Sequence, residues 1–97
     1  MVIISRRALQ AFTAATPAVG DALAKWYEVC READWSSIAD LRRSFNDVDY
    51  VGDNRFVFNI KGNQYRLVAM IFFNRRTVYI RFIGTHRAYE EINVKTA

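Results

Sequence analysis

The chain has 97 residues, of which 52% are hydrophobic and 25% are charged, and its formal net charge at pH 7 is +4. This length predicts a single domain over residues 1–97, and no apolar run approaches the length that crosses a membrane, so we expect no membrane partner. The single cysteine excludes an internal disulfide framework. With only one histidine beside it, it also offers too few ligands for a structural zinc site, so we expect neither a metal nor another cofactor.

The N-terminal third predicts a short strand followed by two helices. Val2 to Ile4 is a short apolar run that suits an edge strand, and Ser5 can cap a helix that begins at Arg6. The basic residues here follow the apolar ones, the reverse of a secretory signal, so we expect a cytoplasmic protein. Pro17 starts a second helix over about residues 17–33, because a proline at the first helical position lacks only an N–H group that would be unpaired there.

A third, shorter helix and a polar connection lead to the second half of the chain. Ser37 and Asp40 have the spacing of a capping box, in which two side chains satisfy main-chain N–H groups at the start of a helix. Residues 46–54 are polar and end in the turn-forming Gly52-Asp53-Asn54. We therefore assign them to a connection.

Three consecutive strands joined by two tight turns are predicted from Arg55 onward. Gly62-Asn63 forms the first turn, since glycine at its first position takes the backbone angle of a type II′ hairpin without strain. Asn74-Arg75-Arg76 forms the second turn. The strand between them, Tyr65 to Phe73, is apolar on both faces, which is typical of a central strand.

The order of these elements predicts the fold class. Helices come first and a mostly antiparallel sheet with a C-terminal three-stranded meander follows, which is the pattern of an α+β protein whose helices cover one face of the sheet. After the meander, residues 85–92 predict a final turn of helix, and residues 94–97 are expected to be frayed. The other face of the sheet is left free to carry function.

The positive charge is confined to the half that carries the sheet. Residues 1–50 hold 6 basic and 7 acidic side chains, whereas residues 51–97 hold 8 basic and 3 acidic ones. A basic face with aromatic neighbours favours a polyanionic partner, and nucleic acid is the usual one.

Metal-free RNA cleavage fits this set of residues better than chemistry that needs clustered carboxylates. RNA carries its own nucleophile, the 2′-hydroxyl, and attack on the adjacent phosphate needs a base, an acid and a cation near the phosphate. His86 can serve as acid or base, and Arg66 and Arg81 can each hold a phosphate in two hydrogen bonds. Tyr89 can donate a proton or stack on a base, and Lys61 can hold the RNA backbone.

Each of these assignments has a structural alternative. A lone histidine at the end of a strand is more often structural or solvated, and the two arginines can instead pair with Glu90 or Glu91. The residues alone therefore leave open a non-catalytic nucleic-acid-binding module, or a protein-interaction module, with the same fold.

Several of these residues lie in a pattern that resembles a known family. An FNI-x-GN-x-YR segment over residues 58–66 is followed by YIR-x-x-x-TH over residues 79–86 and then by Tyr89. The chain resembles the HigB-type toxins of bacterial type II toxin–antitoxin systems, within the RelE-like superfamily. The resemblance implies a small toxin domain of RelE-like α+β fold that degrades messenger RNA on the ribosome and so inhibits translation. It also implies a HigA-type antitoxin with a helix-turn-helix domain, and contact with operator DNA only through the complex with that antitoxin.

The resemblance also selects site residues. It implies Arg66 and His86 as the most direct catalytic residues, with Tyr89 as a third. We assign RNA contacts to a larger set of polar and basic residues: Lys61, Asn63, Arg75, Arg76, Arg81 and Arg87. Where the family carries an acidic and aromatic tail after the Thr-His pair, this chain has an arginine and an alanine before Tyr89.

Overall fold

Five strands form one sheet in the order β1-β5-β4-β3-β2 in the computed structural model, which describes residues 1–97. The strands are Val2–Ile4 (β1), Asp49–Gly52 (β2), Arg55–Ile60 (β3), Tyr65–Phe72 (β4) and Thr77–Thr85 (β5). The helices are Arg6–Ala15 (α1), Gly20–Glu32 (α2), Ile38–Ser44 (α3) and His86–Glu90 (α4), with short 3₁₀ turns at Pro17–Val19 and Phe73–Arg75. Strand β1 runs parallel to β5, and every other neighbouring pair is antiparallel. The predicted α+β class with a C-terminal meander is confirmed.

One face of the sheet, here called the core face, packs against α1, α2 and α3. Leu67, Ala69 and Ile71 alternate along β4 on this face and are fully buried. Trp26 of α2 meets Phe58 of β3 edge to face, with ring centroids 5.4 Å apart. The helices therefore hold β3, β4 and β5 as a rigid platform for the opposite face.

The opposite face, here called the outer face, is partly covered by the C-terminal segment. Val57 and Val68 alternate with core residues and lie on the outer face, yet they are only 4% and 0% exposed. Helix α4 packs on β4 and β5, and the side chains of Arg55 and Arg81 both donate to the main-chain oxygen of Ala97. These contacts draw the C-terminal residues across the sheet. The expectation of a frayed C-terminus is therefore wrong, and the C-terminal segment covers part of the outer face.

The helix starts follow the predicted signals with three changes. The second helix begins with the 3₁₀ turn Pro17–Val19 before it becomes α2. Ser5 stands at the N-cap of α1 without a capping side-chain hydrogen bond, whereas the Ser37 hydroxyl accepts from the Asp40 N–H at 3.2 Å. The Asp40 carboxylate accepts from the N–H and hydroxyl of Ser36, at 3.0 and 2.9 Å, so the returning half of the predicted capping box is shifted by one residue.

Residues 46–54 differ from the prediction, because part of this connection forms β2. Asp49–Gly52 pairs antiparallel with β3 at the edge of the sheet. Tyr50 lies opposite Phe56, with ring centroids 4.9 Å apart. A short edge strand lacks the apolar alternation of a half-buried strand, so the sequence pattern did not reveal it.

A β-bulge changes the orientation of β5 at its middle. The partners of Val68 and its neighbour Ala69 on β5 are two residues apart, so Arg81 between those partners is the extra residue of the bulge. Beyond it, Phe82 lies on the outer face and Ile83 on the core face. Unbroken alternation along β5 would put Arg81 and Ile83 on the same face, and the bulge prevents this.

Both turns of the meander lie where they were predicted. Gly62 has a φ of +66°, and the Gln64 N–H lies 3.4 Å from the Lys61 carbonyl oxygen, which closes a turn centred on Gly62-Asn63. Arg76, with a φ of +53°, ends the second turn and leads into β5. None of the four helices combines the length and the hydrophobicity that a membrane span needs.

Candidate active site

Arg66 is the second residue of β4 and lies on the outer face. Its ladder partners are Asn59 on β3 and Gly84 on β5. The guanidinium Nη1 lies 3.3 Å from the carbonyl oxygen of Asn63 and 3.4 Å from that of Tyr65. No carboxylate lies within ion-pair distance of it. Its charge is therefore free to meet an anion.

His86 begins α4 directly after β5 ends. Its main-chain N–H donates to the Gln64 carbonyl at 3.0 Å, and the Thr85 side chain caps α4 at 3.0 Å. The imidazole Nε2 lies 3.3 Å from Oε1 of Glu90, one turn later on the same helix. These contacts hold His86 beside the turn that precedes β4, and therefore at the same end of the sheet as Arg66.

Tyr89 lies on α4 and packs against a second aromatic side chain. Its ring centroid is 6.4 Å from that of Phe82, and the two planes are tilted by 53°. Phe82 in turn lies over Gly84, because a Cβ atom at Gly84 would stand 2.6 Å from the Phe82 Cζ. The two rings therefore form an aromatic surface beside Gly84, the ladder partner of Arg66.

Three of the residues assigned to RNA contact join this end of the sheet. Lys61 and Asn63 lie on the turn between β3 and β4, Arg87 lies on α4, and all three are exposed. The hydrogen bond between the first residue of α4 and Gln64 brings that turn and that helix together. Lys61 and Arg87 thus lie at the same end of the sheet as Arg66 and His86, where the one carboxylate beside the imidazole is that of Glu90.

Arg75 and Arg76 lie at the other end of the sheet. They belong to the turn after β4, and Phe72, the last residue of β4, is about 20 Å from Arg66 along the strand. Arg76 forms an ion pair with Asp34, and the guanidinium of Arg75 lies 5.2 Å from the centre of the Phe72 ring. The structure therefore separates these two arginines from the other predicted site residues.

Arg81 meets Arg55, which the sequence analysis did not select. Arg55 donates from Nε and Nη2 to the Ala97 main-chain oxygen at 3.2 and 3.1 Å, and Arg81 donates from Nε at 3.2 Å. Neither arginine pairs with a carboxylate side chain. The alternation of residues along the strand predicts that Arg55 and Val57 lie on the same face. It does not predict the contact between Arg55 and Ala97.

These residues lie on a sheet face and not in a deep pocket. A groove of about 480 Å³ between α1 and α2, and one of about 380 Å³ between α1 and β5, contain neither Arg66 nor His86. The chain has no group of three His, Cys, Asp or Glu side chains placed to hold a metal ion. Cys30 is fully buried and burial raises the pKa of its thiol, so it is a packing residue and not a nucleophile.

Comparisons with known proteins place most of the chain in one family. Residues 19–92 match the model of the HigB toxins, described as the RelE-like toxic component of a toxin–antitoxin system. The matched range contains β2 to β5 and α4, with Arg66, His86 and Tyr89. Residues 93–97, which include the Ala97 contact, lie outside it.

Individual relatives carry matching names. The mRNA interferase toxin HigB of Escherichia coli (strain K12) and the mRNA interferase HigB of Shigella flexneri are each 37% identical over 73 residues. That stretch covers 75% of this chain and 65% of each relative, so the matched stretch spans slightly less than two thirds of their length. The mRNA interferase HigB of Escherichia coli O6:H1 is 28% identical over 94 residues, which cover 95% of this chain and 91% of that relative.

Proposed function

The chain belongs to the HigB toxins, the RelE-like toxic components of toxin–antitoxin systems, and on that premise we propose that it is an endoribonuclease that cleaves messenger RNA. Two independent features support the proposal. Relatives that share 37% of the matched residues are named mRNA interferases. The outer face also carries a cluster of cations at one end of the sheet, and such a cluster favours the binding of a polyanion such as RNA.

The observation that carries the proposal is the pairing of Arg66 with His86 at that end of the sheet. The Arg66 guanidinium contacts only main-chain carbonyl oxygens. His86 is held two residues beyond Gly84, the ladder partner of Arg66, by its hydrogen bond to Gln64. We therefore propose that the His86 imidazole transfers a proton at a phosphate that Arg66 binds.

The proposed reaction uses no metal ion. The 2′-oxygen of one nucleotide bonds to the adjacent phosphorus, the bond from phosphorus to the 5′-oxygen breaks, and the products carry a 2′,3′-cyclic phosphate and a 5′-hydroxyl. Arg66 stabilises the charge that develops on the phosphate. One proton leaves the 2′-hydroxyl and one is added to the 5′-oxygen, and His86 transfers one of these two protons. Tyr89 either donates the proton to the 5′-oxygen or stacks, together with Phe82, on a nucleobase of the RNA.

The cellular setting follows from the family. We propose that residues 1–97 act as one toxin domain in the cytoplasm, on messenger RNA held by the ribosome, and thereby inhibit translation. A HigA-type antitoxin with a helix-turn-helix domain neutralises the protein, which reaches operator DNA only in that complex. Lys61, Asn63 and Arg87 hold the RNA around the cleaved phosphate, Arg81 holds it further along β4, and Arg75 and Arg76 are more distant contacts.

Primer extension on a defined message in a translation extract tests the function. The wild type is expected to produce discrete cuts on translated message and not on the same message without translation. His86→Ala is expected to slow cleavage by about 10²- to 10⁴-fold, the usual contribution of a catalytic acid or base. Arg66→Ala is expected to slow it as well, through loss of charge stabilisation.

The matched control is Arg42→Ala, because Arg42 is exposed on α3 and makes no hydrogen bond or ion pair. It is expected to cut like the wild type. If folded Arg66→Ala and His86→Ala proteins also cut like the wild type, the assigned site is wrong. If folded wild type produces no cuts, the protein is a binding module that shares only the family's fold.

A further inference from the structure

We propose that Arg55 and Arg81 form a second anion subsite on the outer face, which binds a phosphate of the substrate RNA and which residues 93–97 occupy in the RNA-free protein. The ligand class rests on the proposed function. The two arginines lie within the family match and Ala97 lies outside it, so the contacts that define the subsite are read from this structure.

Two guanidinium groups converge on a single oxygen atom. Three N–H groups, two from Arg55 and one from Arg81, donate to the Ala97 main-chain oxygen over 3.1 to 3.2 Å. Arg55 is on β3 and Arg81 is on β5, so the oxygen lies above β4, which runs between them. Arg55 donates two of these bonds from one fork, and an arginine fork binds phosphate through two such hydrogen bonds.

Neither arginine pairs with a carboxylate side chain, and both contact the same main-chain oxygen of Ala97. The only other contact of Arg55 is a main-chain oxygen, that of Asp53, at 3.5 Å from Nη1. Arg81 stands at the bulge of β5, where the extra residue re-aims its side chain toward Ala97. A phosphate has several oxygens and can accept from both guanidinium groups at once, whereas the two arginines here share a single Ala97 oxygen.

The subsite and the candidate active site lie at different positions along the direction of β4. Arg55 is four residues from Asn59, the ladder partner of Arg66, which corresponds to about 14 Å along the strand. Met70, opposite Arg55 in the ladder, is partly exposed, whereas Val68, between the two positions on β4, is fully buried. A single RNA strand that passes over the groups covering Val68 can place one phosphate at Arg66 and another at the Arg55–Arg81 pair.

The C-terminal residues are held on the sheet by the arginine bonds to Ala97, which a competing phosphate can replace, and by hydrogen bonds within their own turn. Within 93–97, the Asn93 side chain accepts from the Lys95 N–H at 3.1 Å, and the Asn93 carbonyl accepts from the N–H groups of Thr96 and Ala97. These residues belong to no helix or strand. Segments with few contacts open at low free-energy cost.

The test measures binding of a short 2′-O-methyl oligoribonucleotide, which has no 2′-hydroxyl nucleophile, between 50 and 200 mM salt (roughly the range over which phosphate contacts dominate). Arg55→Ala and Arg81→Ala are each expected to weaken binding by about 10-fold or more, as loss of a charged hydrogen bond does. Each is also expected to lower the slope of log K against log salt by about 0.7, the value for one phosphate contact on a single strand. Arg42→Ala is expected to change neither quantity.

Two further variants separate charge from geometry and from the C-terminal contact. Arg55→Lys keeps the charge and loses the fork, so it is expected to retain the salt slope and bind more weakly than the wild type. Asn93→Ala removes one neutral hydrogen bond of the C-terminal turn and is expected to bind RNA about 2- to 10-fold more tightly. Unchanged or weaker binding by Asn93→Ala would show that residues 93–97 do not compete with RNA.

The subsite and the proposed function fail in different ways. If the wild type cuts translated message but the salt slopes of Arg55→Ala and Arg81→Ala equal that of the wild type, only the subsite is overturned. The same holds if the wild type cuts and shows no salt-dependent binding to the oligoribonucleotide. If the wild type neither cuts nor binds RNA, both proposals are wrong.

Discussion

Single arginines on this sheet differ in what their guanidinium groups contact. Arg76 pairs with the Asp34 carboxylate, whereas Arg66 contacts carbonyl oxygens only. A carboxylate neutralises the charge that it pairs with, while a carbonyl leaves most of that charge in place. At the residue scale, Arg66 is therefore a position where an arriving phosphate gains more than it would at Arg76.

Gly84 is the residue at which one added methyl group matters most. Its Cβ would stand 2.6 Å from the Phe82 Cζ, so the Phe82 ring must leave its place against Tyr89. We expect Gly84→Ala to lower the free energy of unfolding by about 1–3 kcal/mol, as overpacking does, and to slow RNA cleavage. Urea unfolding and primer extension measure the two effects.

Gly20→Ala is the control for that substitution. Gly20 is the first residue of α2, has a negative φ, and its Cβ would lie 3.2 Å from a Thr13 methyl group. Alanine is the better helix former by about 1 kcal/mol, so this variant is expected to be as stable as the wild type or more stable. A Gly84→Ala protein that matched it in stability and cleavage would mean that Phe82 does not lie over Gly84 in solution.

At the scale of elements, two serines with the same sequence signal differ in their hydrogen bonds. Ser37 caps α3 through its hydroxyl, whereas Ser5 makes no such bond at α1. We expect Ser37→Ala to lower the free energy of unfolding by about 1 kcal/mol and Ser5→Ala to change it by less than about 0.5 kcal/mol. Denaturant unfolding of the pair checks this, and equal losses would contradict the difference between the two caps.

The third helix also predicts a pH dependence. The hydrogen bonds from Ser36, its N–H first and then its hydroxyl, hold the pKa of the Asp40 carboxyl below its usual range, with a smaller effect of Arg43. A carboxyl whose pKa is lower in the folded than in the unfolded chain adds stability at pH values above its unfolded pKa of about 4. That stability is lost as the pH falls through the folded pKa. The difference in melting temperature between wild type and Asp40→Asn is therefore expected to shrink from pH 6 to pH 3, a range of roughly two units above to one unit below that value. A constant difference would mean that the carboxylate does not hold the helix start.

The same elements show what the sequence could predict. Helix spacing, the Pro17 signal and the turn at Gly62-Asn63 are local, and the structure has them where they were expected. The edge strand β2 and the bulge at Arg81 were missed, because each depends on pairing with a neighbouring strand. The contact between Arg55 and Ala97 joins residues 42 positions apart, so no local sequence pattern predicts it.

On the scale of the whole molecule, the sheet separates two groups of cations. Helices cover the core face, and apart from the Arg55–Arg81 pair the cations of the three-stranded meander lie at the two ends of β4. One group surrounds Arg66 and His86, and the other lies on the turn with Arg75. An RNA that is cut at the first group can contact the second only through phosphates far from the cleaved bond.

Arg75→Ala is therefore expected to affect binding and not the chemical step. Arg75 is about 20 Å along β4 from Arg66, and an interaction made equally in the ground and transition states changes KM and not kcat. We expect KM for translated message to rise about fivefold, in line with about 1 kcal/mol for an exposed ionic contact, with kcat unchanged. Arg66→Ala, measured beside it, is expected to lower kcat because its contact strengthens as the phosphate gains charge. If Arg75→Ala lowered kcat as Arg66→Ala does, the turn after β4 would lie at the cleaved phosphate, and the RNA would follow a path other than the outer face of β4.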